Sequence, residues 1–308
     1  MSEQRSEPTS HMIAVRGIDL HYWDWASDPS PPRATVLLTH ATGFHARLWD
    51  AEIRSLPRSW RCLALDLRGH GRSEAPPDDA DYLWSEHVAD TAAVADALDL
   101  KAALGVGHSM GGFVIAGAAA RTQKDYRFQA LVLVDPSIFD EQDPAKRPRL
   151  IPAAGTENAG QPNIAEAARR RRPTWASPAA MFESLRPRVP FDTWDEAVLR
   201  DYCEYGLLPH KGEGMRLACP PFAEAATFAN SLNTNPWPGL ARLGGPVSVM
   251  RGLQTHGLPS TTSKRTAGAI PKGEDIPVAD SNHFIPMERP DLVGDEIKRL
   301  ARHLGLPG

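Results

Sequence analysis

Short, continuous runs of hydrophobic residues recur at regular intervals along this chain, and each has the length of a single strand. A run of this kind predicts a strand that is buried on both faces of a parallel sheet. The first four are ATVLLTH at 34–40, RCLALDL at 61–67, AALGVGHS at 102–109 and QALVLVDP at 129–136.

Helical patterns separate these runs. Residues 84–98 place apolar side chains on one face at helical spacing, and the segment MGGFVIAGAAA predicts a tightly packed helix. Strand-like runs return at 246–252 and 274–280, and the chain ends on a predicted helix over 292–306. Strands alternating with helices predict an α/β fold with a mostly parallel, doubly wound sheet.

The strand rhythm is interrupted in the middle of the chain. Prolines become frequent there, four arginines stand together at 169–172, and helical patterns are broken by loops. We therefore expect a core at 11–139 and 245–308, with a mostly helical insertion at 140–244. The polar residues 1–10 are expected to be disordered, and the alternation that follows predicts two short strands turning at Arg16-Gly17.

Composition narrows the class of protein. The 308 residues are 42% hydrophobic and 23% charged with a net charge of −4, which is ordinary for a globular protein. This balance indicates neither nucleic acid nor a membrane surface as partner. The polar start and the lack of a long apolar run predict a cytoplasmic protein, a monomer or homodimer. Cys62, Cys203 and Cys219 form no metal or redox motif and are expected to be reduced core thiols.

The segment GHSMGG, residues 107–112, carries the sharpest chemical signal. It matches G-x-S-x-G directly after a predicted strand and directly before a predicted helix. Such an abrupt turn holds its apex residue, Ser109, in a strained and exposed position, and Gly107 and Gly111 allow neighbouring backbone to pack closely. The backbone N–H of Met110 then lies at a helix N-terminus, where it can donate to an anion.

Three further segments follow predicted strands or precede the last helix. They are THATGF at 39–44, DLRGHGRS at 66–73 and SNHFIPMERPD at 281–291. Together with GHSMGG, in this order, they resemble the α/β-hydrolase fold superfamily over residues 11–305, apart from the insertion. The resemblance implies an α/β-hydrolase core in which the insertion is the family's variable cap.

The resemblance also implies roles for individual residues. Ser109 matches the family nucleophile, and His283 matches the histidine that acts as general base and then general acid. The backbone N–H groups of Met110 and Thr42 match the oxyanion donors. Ala41 stands where the family usually has glycine, which puts the approach of that loop in question.

The triad acid is missing from its usual place. The family usually takes it from the turn after the strand matched by VSVMRG, where this chain has Thr255 and His256, and no Asp or Glu occurs between Ala225 and Gly273. A minority of the superfamily supplies the acid one strand earlier, which here is Asp135. We therefore expect Asp135 to orient His283.

Asp275 and Asp280 are alternative acids, although they lie close before the histidine in the chain. Asp66, Arg68 and His70 are expected to form a structural turn. The arginine run at 169–172 is more typical of a solvated helix face than of an anion site.

These features predict a serine hydrolase that acts on a carboxylic ester or related acyl substrate through an acyl-enzyme. A small-molecule pocket is expected beside Phe44, Met110 and side chains of the insertion. No metal or organic cofactor is required. A carbon–carbon bond hydrolase or a lactonase would use the same serine, and a cofactor-free haloperoxidase or perhydrolase side activity stays open. A non-catalytic protein that binds a small molecule on the same fold is the alternative from another class.

Overall fold

The computed structural model describes residues 5–28, 30–138, 163–212, 214–231, 233–258, 260, 262 and 264–307. Strands and helices are numbered separately in chain order. The elements are β1 (Thr9–Val15), β2 (Ile18–Trp25), β3 (Ala34–Thr39), α1 (Asp50–Ser55), β4 (Trp60–Asp66), α2 (Trp84–Ala97), β5 (Ala103–His108), α3 (Met110–Arg121), β6 (Phe128–Val134), α4 (Ile164–Arg169), β7 (Thr174–Trp175), α5 (Pro178–Leu185), α6 (Glu196–Tyr205), β8 (Leu207–Pro209), β9 (Met215–Leu217), α7 (Pro221–Ala229), α8 (Trp237–Leu240), β10 (Val247–Gly252), α9 (Lys264–Gly268), β11 (Gly273–Val278), α10 (Ile285–Glu288) and α11 (Pro290–His303).

Eight strands form the central sheet in the order β1-β2-β4-β3-β5-β6-β10-β11. β2 pairs antiparallel with both β1 and β4, and every other pair in the sheet is parallel. The central strands β3, β5 and β6 are almost wholly buried, because helices cover both faces. The prediction of a mostly parallel α/β sheet is confirmed.

Two hydrophobic cores lie on opposite faces of this sheet. Side chains of consecutive strand residues point to opposite faces, and in β3 Leu37 packs into one core while Val36 and Leu38 pack into the other. The first core includes Val88 of α2 and other side chains of α2 and α3, whereas the second includes Ile297 and other side chains of α1 and α11. The sheet is therefore doubly wound, and its parallel strands share one carboxyl edge where loops converge.

The segment between β6 and β10 adds no strand to the central sheet within its described part. Residues 140–162 of the expected insertion lie outside the described residues, as does residue 139 of the expected core. The remainder forms α4 to α8 and a small antiparallel sheet in the order β7-β9-β8. That small sheet was not expected, because strands of two or three residues show no alternation. The division into core and cap stays a prediction. Trp237 and Leu240, which lie within the expected insertion, pack into the first hydrophobic core, the one that includes side chains of α2 and α3.

The N-terminal prediction needs correction. Disorder was expected through residue 10, but β1 starts at Thr9 and pairs with β2 along its whole length. The guanidinium of Arg5 donates to backbone carbonyls, including that of Trp60 at 3.1 Å. Strand pairing and these bonds fix residues from Arg5 onward, whereas residues 1–4 lie outside the described part. The predicted turn at Arg16-Gly17 is confirmed, with φ of 53° and 79°.

Two smaller sequence expectations concern the core and the surface. The three cysteines are free thiols and are all buried, as predicted. Among the described residues, no helix is both long enough and apolar enough to cross a bilayer.

Asp66 accepts bonds from His21 and from the backbone of Ala46 and Arg72, and Arg68 pairs with Asp90. These contacts confirm a structural turn at 66–73.

Three buried histidines, His40, His70 and His87, lie close to one another, and His70 belongs to this turn. The rings of His40 and His70 lie 5.1 Å apart, and those of His70 and His87 lie 6.3 Å apart. Burial lowers the pKa of His40 to about 3 and of His70 to about 4, and it lowers the pKa of His87 well below its ordinary value. Neither ring nitrogen of His87 has a hydrogen-bond partner within the described residues. These imidazoles are therefore neutral in the folded protein.

We expect the free energy of unfolding to fall as the pH drops below about 6.5. An unfolded histidine binds a proton near pH 6.5, whereas the folded imidazoles of His40 and His70 resist protonation until pH 3 to 4, and the pKa of His87 is also well below its ordinary value. Between these limits the unfolded chain binds more protons, so acid favours unfolding. The measurement is the urea midpoint at pH 7, 6 and 5. His87→Leu should reduce the loss on acidification, while His303→Leu, an exposed control, should not. Equal pH dependence in all three proteins would contradict the assignment.

Candidate active site

The turn between β5 and α3 places Ser109 at the carboxyl edge of the sheet. Its backbone has φ 54° and ψ −119°, a conformation that costs free energy for a residue with a side chain. A Cβ on Gly107 would lie 2.4 Å from the carbonyl oxygen of Gly111, and one on Gly111 would lie 2.2 Å from that of Thr39. Only glycine fits at both positions, so the sequence itself permits this tight turn.

A chain of hydrogen bonds joins Ser109 to a histidine and a carboxylate. Ser109 Oγ lies 3.0 Å from His283 Nε2, and His283 Nδ1 lies 2.8 Å from Asp135 Oδ1. All three side chains are buried. They come from the ends of β5 and β6 and from the loop after β11. The three residues named from the sequence therefore lie in hydrogen-bonding order.

The carboxylate of Asp135 accepts hydrogen bonds from other groups besides His283. It has φ 40° directly after β6 and is fully buried. Gly252 N–H donates to Oδ2 at 3.0 Å, and the Thr262 hydroxyl lies 3.2 Å from Oδ1 and 2.9 Å from the carbonyl oxygen of Pro136, between which its one proton is shared. Burial alone would raise the pKa of Asp135, but the hydrogen bonds from His283, Ser260 and Gly252 hold it below its ordinary value. Asp135 is therefore an ionised carboxylate at neutral pH.

The loop after β10 contributes hydroxyls where the family usually has an acid. Ser260 and Thr262 lie on this loop, and both bond to Asp135. Sequence reasoning did not identify them, because their proximity depends on the loop's path. This loop contains no carboxylate, but the hydroxyls of Ser260 and Thr262 stabilise the carboxylate of Asp135 at the end of β6.

The alternative acids make other contacts. Asp275 pairs with Arg251 at 2.6 Å, and Asp280 pairs with Arg289. His256 is largely exposed and lies 3.6 Å from Asp192. None of the three bonds to His283, whose Nδ1 is taken by Asp135.

Two more side chains support this chain of bonds, and no sequence pattern predicted either of them. Ser137 Oγ lies 3.1 Å from Ser109 Oγ, and the Ser137 N–H donates to the Ser109 carbonyl at 3.0 Å. His108 Nε2 lies 2.8 Å from the carbonyl oxygen of His283. Burial lowers the pKa of His108 to about 3, so this imidazole is neutral and donates from Nε2.

The loop after β3 faces the N-terminus of α3. The Thr42 hydroxyl donates to the Met110 sulfur at 3.3 Å. Within the described residues, neither the Thr42 N–H nor the Met110 N–H donates to a backbone carbonyl, so both are available to a bound anion. Gly43 packs so closely on Glu224 that a Cβ there would lie 2.5 Å from Oε1.

A cavity of about 510 Å³ opens beside Ser109 and His283. Phe44 lines it as predicted, together with Trp175, Tyr202 and other side chains of the insertion. The prediction for the Met110 side chain is wrong. That side chain is fully buried and packs into the core of α2 and α3 rather than lining the cavity. In the described parts of the chain, no group of three or more His, Cys, Asp or Glu side chains is arranged to hold a metal ion.

Comparison with known proteins agrees with this architecture. A family model for the alpha/beta hydrolase fold matches residues 34–290. The chain is 36% identical over 108 residues to a non-heme chloroperoxidase of Streptomyces lividans, which is 35% of this chain and 37% of that protein. It is 27% identical over 242 residues to BpoC of Mycobacterium tuberculosis, provisionally named a non-heme bromoperoxidase. That alignment covers 77% of this chain and 81% of that protein.

A solved structure shares nearly the whole fold. The crystal structure of E-2-(acetamidomethylene)succinate hydrolase superimposes with a TM-score of 0.74 at 20% identity, covering 96% of this chain and 99% of that chain. The fold is that of the α/β hydrolases, with the candidate site at the carboxyl edge of the parallel strands. This chain belongs to the alpha/beta hydrolase fold family and is an enzyme of the hydrolase type.

Proposed function

We propose that this protein is a serine hydrolase that cleaves a carboxylic ester or a related acyl substrate. The observation that carries the proposal is the hydrogen-bonded order Ser109–His283–Asp135, with bonds of 3.0 and 2.8 Å, at the floor of the cavity. A serine hydroxyl is a weak nucleophile until a base removes its proton. A protein that only binds a ligand would have no need of this order.

The reaction begins with attack on the acyl carbonyl. Ser109 Oγ forms a bond to the carbonyl carbon while its proton passes to His283 Nε2. The carbonyl oxygen becomes an oxyanion that accepts hydrogen bonds from Thr42 N–H and Met110 N–H. Asp135 holds the His283 tautomer that accepts this proton and stabilises the imidazolium that forms.

Collapse of this intermediate releases the alcohol, which takes its proton from His283. An acyl group then remains on Ser109. Water attacks the acyl-enzyme with His283 as base, and the carboxylic acid leaves as Ser109 recovers its proton. No step requires a metal or an organic cofactor.

The experiment is a panel of p-nitrophenyl esters from acetate to decanoate, together with labelling by a fluorophosphonate. We expect turnover of at least one ester and a single covalent adduct, located on Ser109 by mass spectrometry. An unlabelled protein that turns over no ester would overturn the proposal and favour a binding protein on this fold.

Ser137 is expected to assist the nucleophile without being essential. Because Ser109 directs its single hydroxyl proton at His283 Nε2, the Ser137 hydroxyl is the donor in its 3.1 Å bond to Ser109 Oγ. A single neutral hydrogen bond contributes about 0.5–1.5 kcal/mol, so Ser137→Ala should lower kcat roughly two- to tenfold and leave KM and the pH profile unchanged. The matched control is Ser184→Ala, which removes a hydroxyl elsewhere in the cavity wall. An unchanged kcat in Ser137→Ala would contradict this role.

The names of the relatives favour perhydrolysis as a second activity. Both relatives are named as non-heme haloperoxidases. In such a reaction hydrogen peroxide replaces water as the attacking group on the acyl-enzyme, and a peroxy acid leaves. The test is the oxidation of bromide in acetate buffer with peroxide. The activity should vanish in Ser109→Ala.

A further inference from the structure

The cavity beside Ser109 is apolar over most of its wall, and three arginines are among the residues that line it. Arg171 and Arg172 come shortly after α4, and Arg188 comes shortly after α5. The apolar lining residues include Phe44, Met181, Leu185, Phe191 and Phe284. A pocket of this composition binds a largely apolar body and orients it through a few polar contacts.

One of the three positive charges is neutralised within the protein. Arg171 Nη1 lies 2.5 Å from the Glu224 carboxylate, and Arg171 Nη2 donates to the Tyr202 hydroxyl at 2.7 Å. Glu224 is the only acidic residue among the described residues that line the cavity. The negative charge of Glu224 is therefore neutralised by Arg171 and does not offset the positive charges of Arg172 and Arg188.

Arg172 is held in place without losing its charge. Its Nε donates to the Thr174 carbonyl at 2.8 Å, and its guanidinium lies 4.3 Å from the centre of the Trp175 ring. Stacking on an aromatic ring fixes the plane of a guanidinium and leaves its edge free for a planar anion. No described carboxylate pairs with Arg172.

Arg188 is the least committed of the three. Its backbone N–H donates to Leu185, but within the described part of the chain its guanidinium has neither a hydrogen bond nor an ion pair. Counting Arg171 and Glu224 as a neutral pair, the described wall of the cavity has two excess positive charges. An apolar pocket with such a wall favours a substrate that carries a negative charge.

We propose that Arg172 and Arg188 bind a carboxylate of the substrate, so that the preferred substrate is an ester bearing a free carboxylate, such as a monoester of a dicarboxylic acid. This inference rests on the proposed esterase function. The scissile carbonyl lies at Ser109, the apolar part of the substrate crosses the cavity, and the carboxylate accepts charge-assisted hydrogen bonds from the guanidinium edges. The arginine run at 169–172 is thus divided: Arg171 and Arg172 line the cavity and Arg170 does not, although Arg172, like Arg188, is exposed at the cavity mouth.

The test compares esters that differ only in one charge. The first pair is mono-p-nitrophenyl adipate and its methyl ester, with the carboxylate on the acyl side. The second pair is 4-carboxyphenyl hexanoate and its methyl ester, with the carboxylate on the alcohol side. For each pair the measured quantity is the ratio of kcat/KM for the charged ester to that for the neutral one. Comparing this ratio between variants cancels differences in intrinsic reactivity.

The variants are Arg172→Gln/Arg188→Gln and the matched control Arg170→Gln from the same run. We expect the ratio to fall about tenfold in the double variant for at least one pair, and to be unchanged in the control. Turnover of the neutral ester shows that each variant is folded and that the esterase proposal stands. Equal ratios in wild type and double variant for both pairs would overturn the carboxylate subsite alone. Absence of turnover on every ester would instead refute the esterase function.

Discussion

Ser109→Ala is expected to lower kcat for ester hydrolysis by about 10⁶-fold, the loss typical of removing a triad nucleophile. The variant retains His283, Asp135 and both oxyanion donors, so a small residual rate from those groups is expected. Alanine keeps the Cβ and the backbone at the turn, where φ is 54°. The folded state should therefore survive, and circular dichroism with a thermal melt verifies this.

The matched control for this variant is again Ser184→Ala, which removes a hydroxyl from the same cavity. It should keep kcat within a few-fold of wild type and still react with a fluorophosphonate, whereas Ser109→Ala should not react. Near wild-type hydrolysis by folded Ser109→Ala would exclude Ser109 as the nucleophile.

Asp135→Asn is expected to lower kcat by about 10⁴-fold, the effect of replacing a triad aspartate by its amide. The asparagine amide is nearly the size of the carboxylate but presents an NH₂ group that cannot accept from His283 Nδ1–H. His283 is then held in the tautomer that carries its proton on Nε2. That nitrogen can no longer take the Ser109 proton, and the imidazolium loses its anionic partner.

Asp280→Asn is the matched control for this second variant. Asp280 precedes His283 by three residues but pairs with Arg289 at the surface, so its amide should leave kcat within a few-fold of wild type. If Asp280→Asn caused the large loss and Asp135→Asn did not, the acid would be misassigned. Near wild-type activity in both would mean that His283 works without a carboxylate.

The charge on Asp135 also predicts a pH dependence of stability. Its folded pKa is held below the unfolded value, so the carboxylate stabilises the folded protein at neutral pH. This stabilisation is lost as the pH falls through the folded pKa. In Asp135→Asn, it should be absent at every pH.

Side chains at strand ends could be predicted from the sequence, whereas side chains on loops could not. Ser109 and Asp135 directly follow β5 and β6, so the apolar runs that predict these strands also place both residues at one edge of the sheet. Ser137 and Thr262 gave no signal, because their contacts depend on how two loops turn. The pair Arg171–Glu224 joins the loop after α4 to α7 across 53 positions of the chain, and no local pattern predicts such a contact.

The insertion was the least predictable part of the fold. Its apolar residues form both the cavity wall and a hydrophobic cluster shared with the loops after β3 and β11. Trp194 packs against Phe44 and Phe284 in that cluster, while Trp175 belongs to the cluster and also lines the cavity. A tryptophan shows the same hydrophobic signal in both settings.

The proposed acid at the end of β6 changes what can be altered in the loop after β10. The side chains of Leu253, Thr255 and His256 make no hydrogen bond to Ser109, His283 or Asp135. Leu253 and His256 are exposed, and the neighbouring Leu258 lies at the cavity wall. For protein engineering, positions 253, 255, 256 and 258 of this loop are places where side chains can be randomised while Ser260, Thr262 and the proton-transfer groups are left intact. In relatives that carry their acid on this loop, the same library would eliminate activity in most clones.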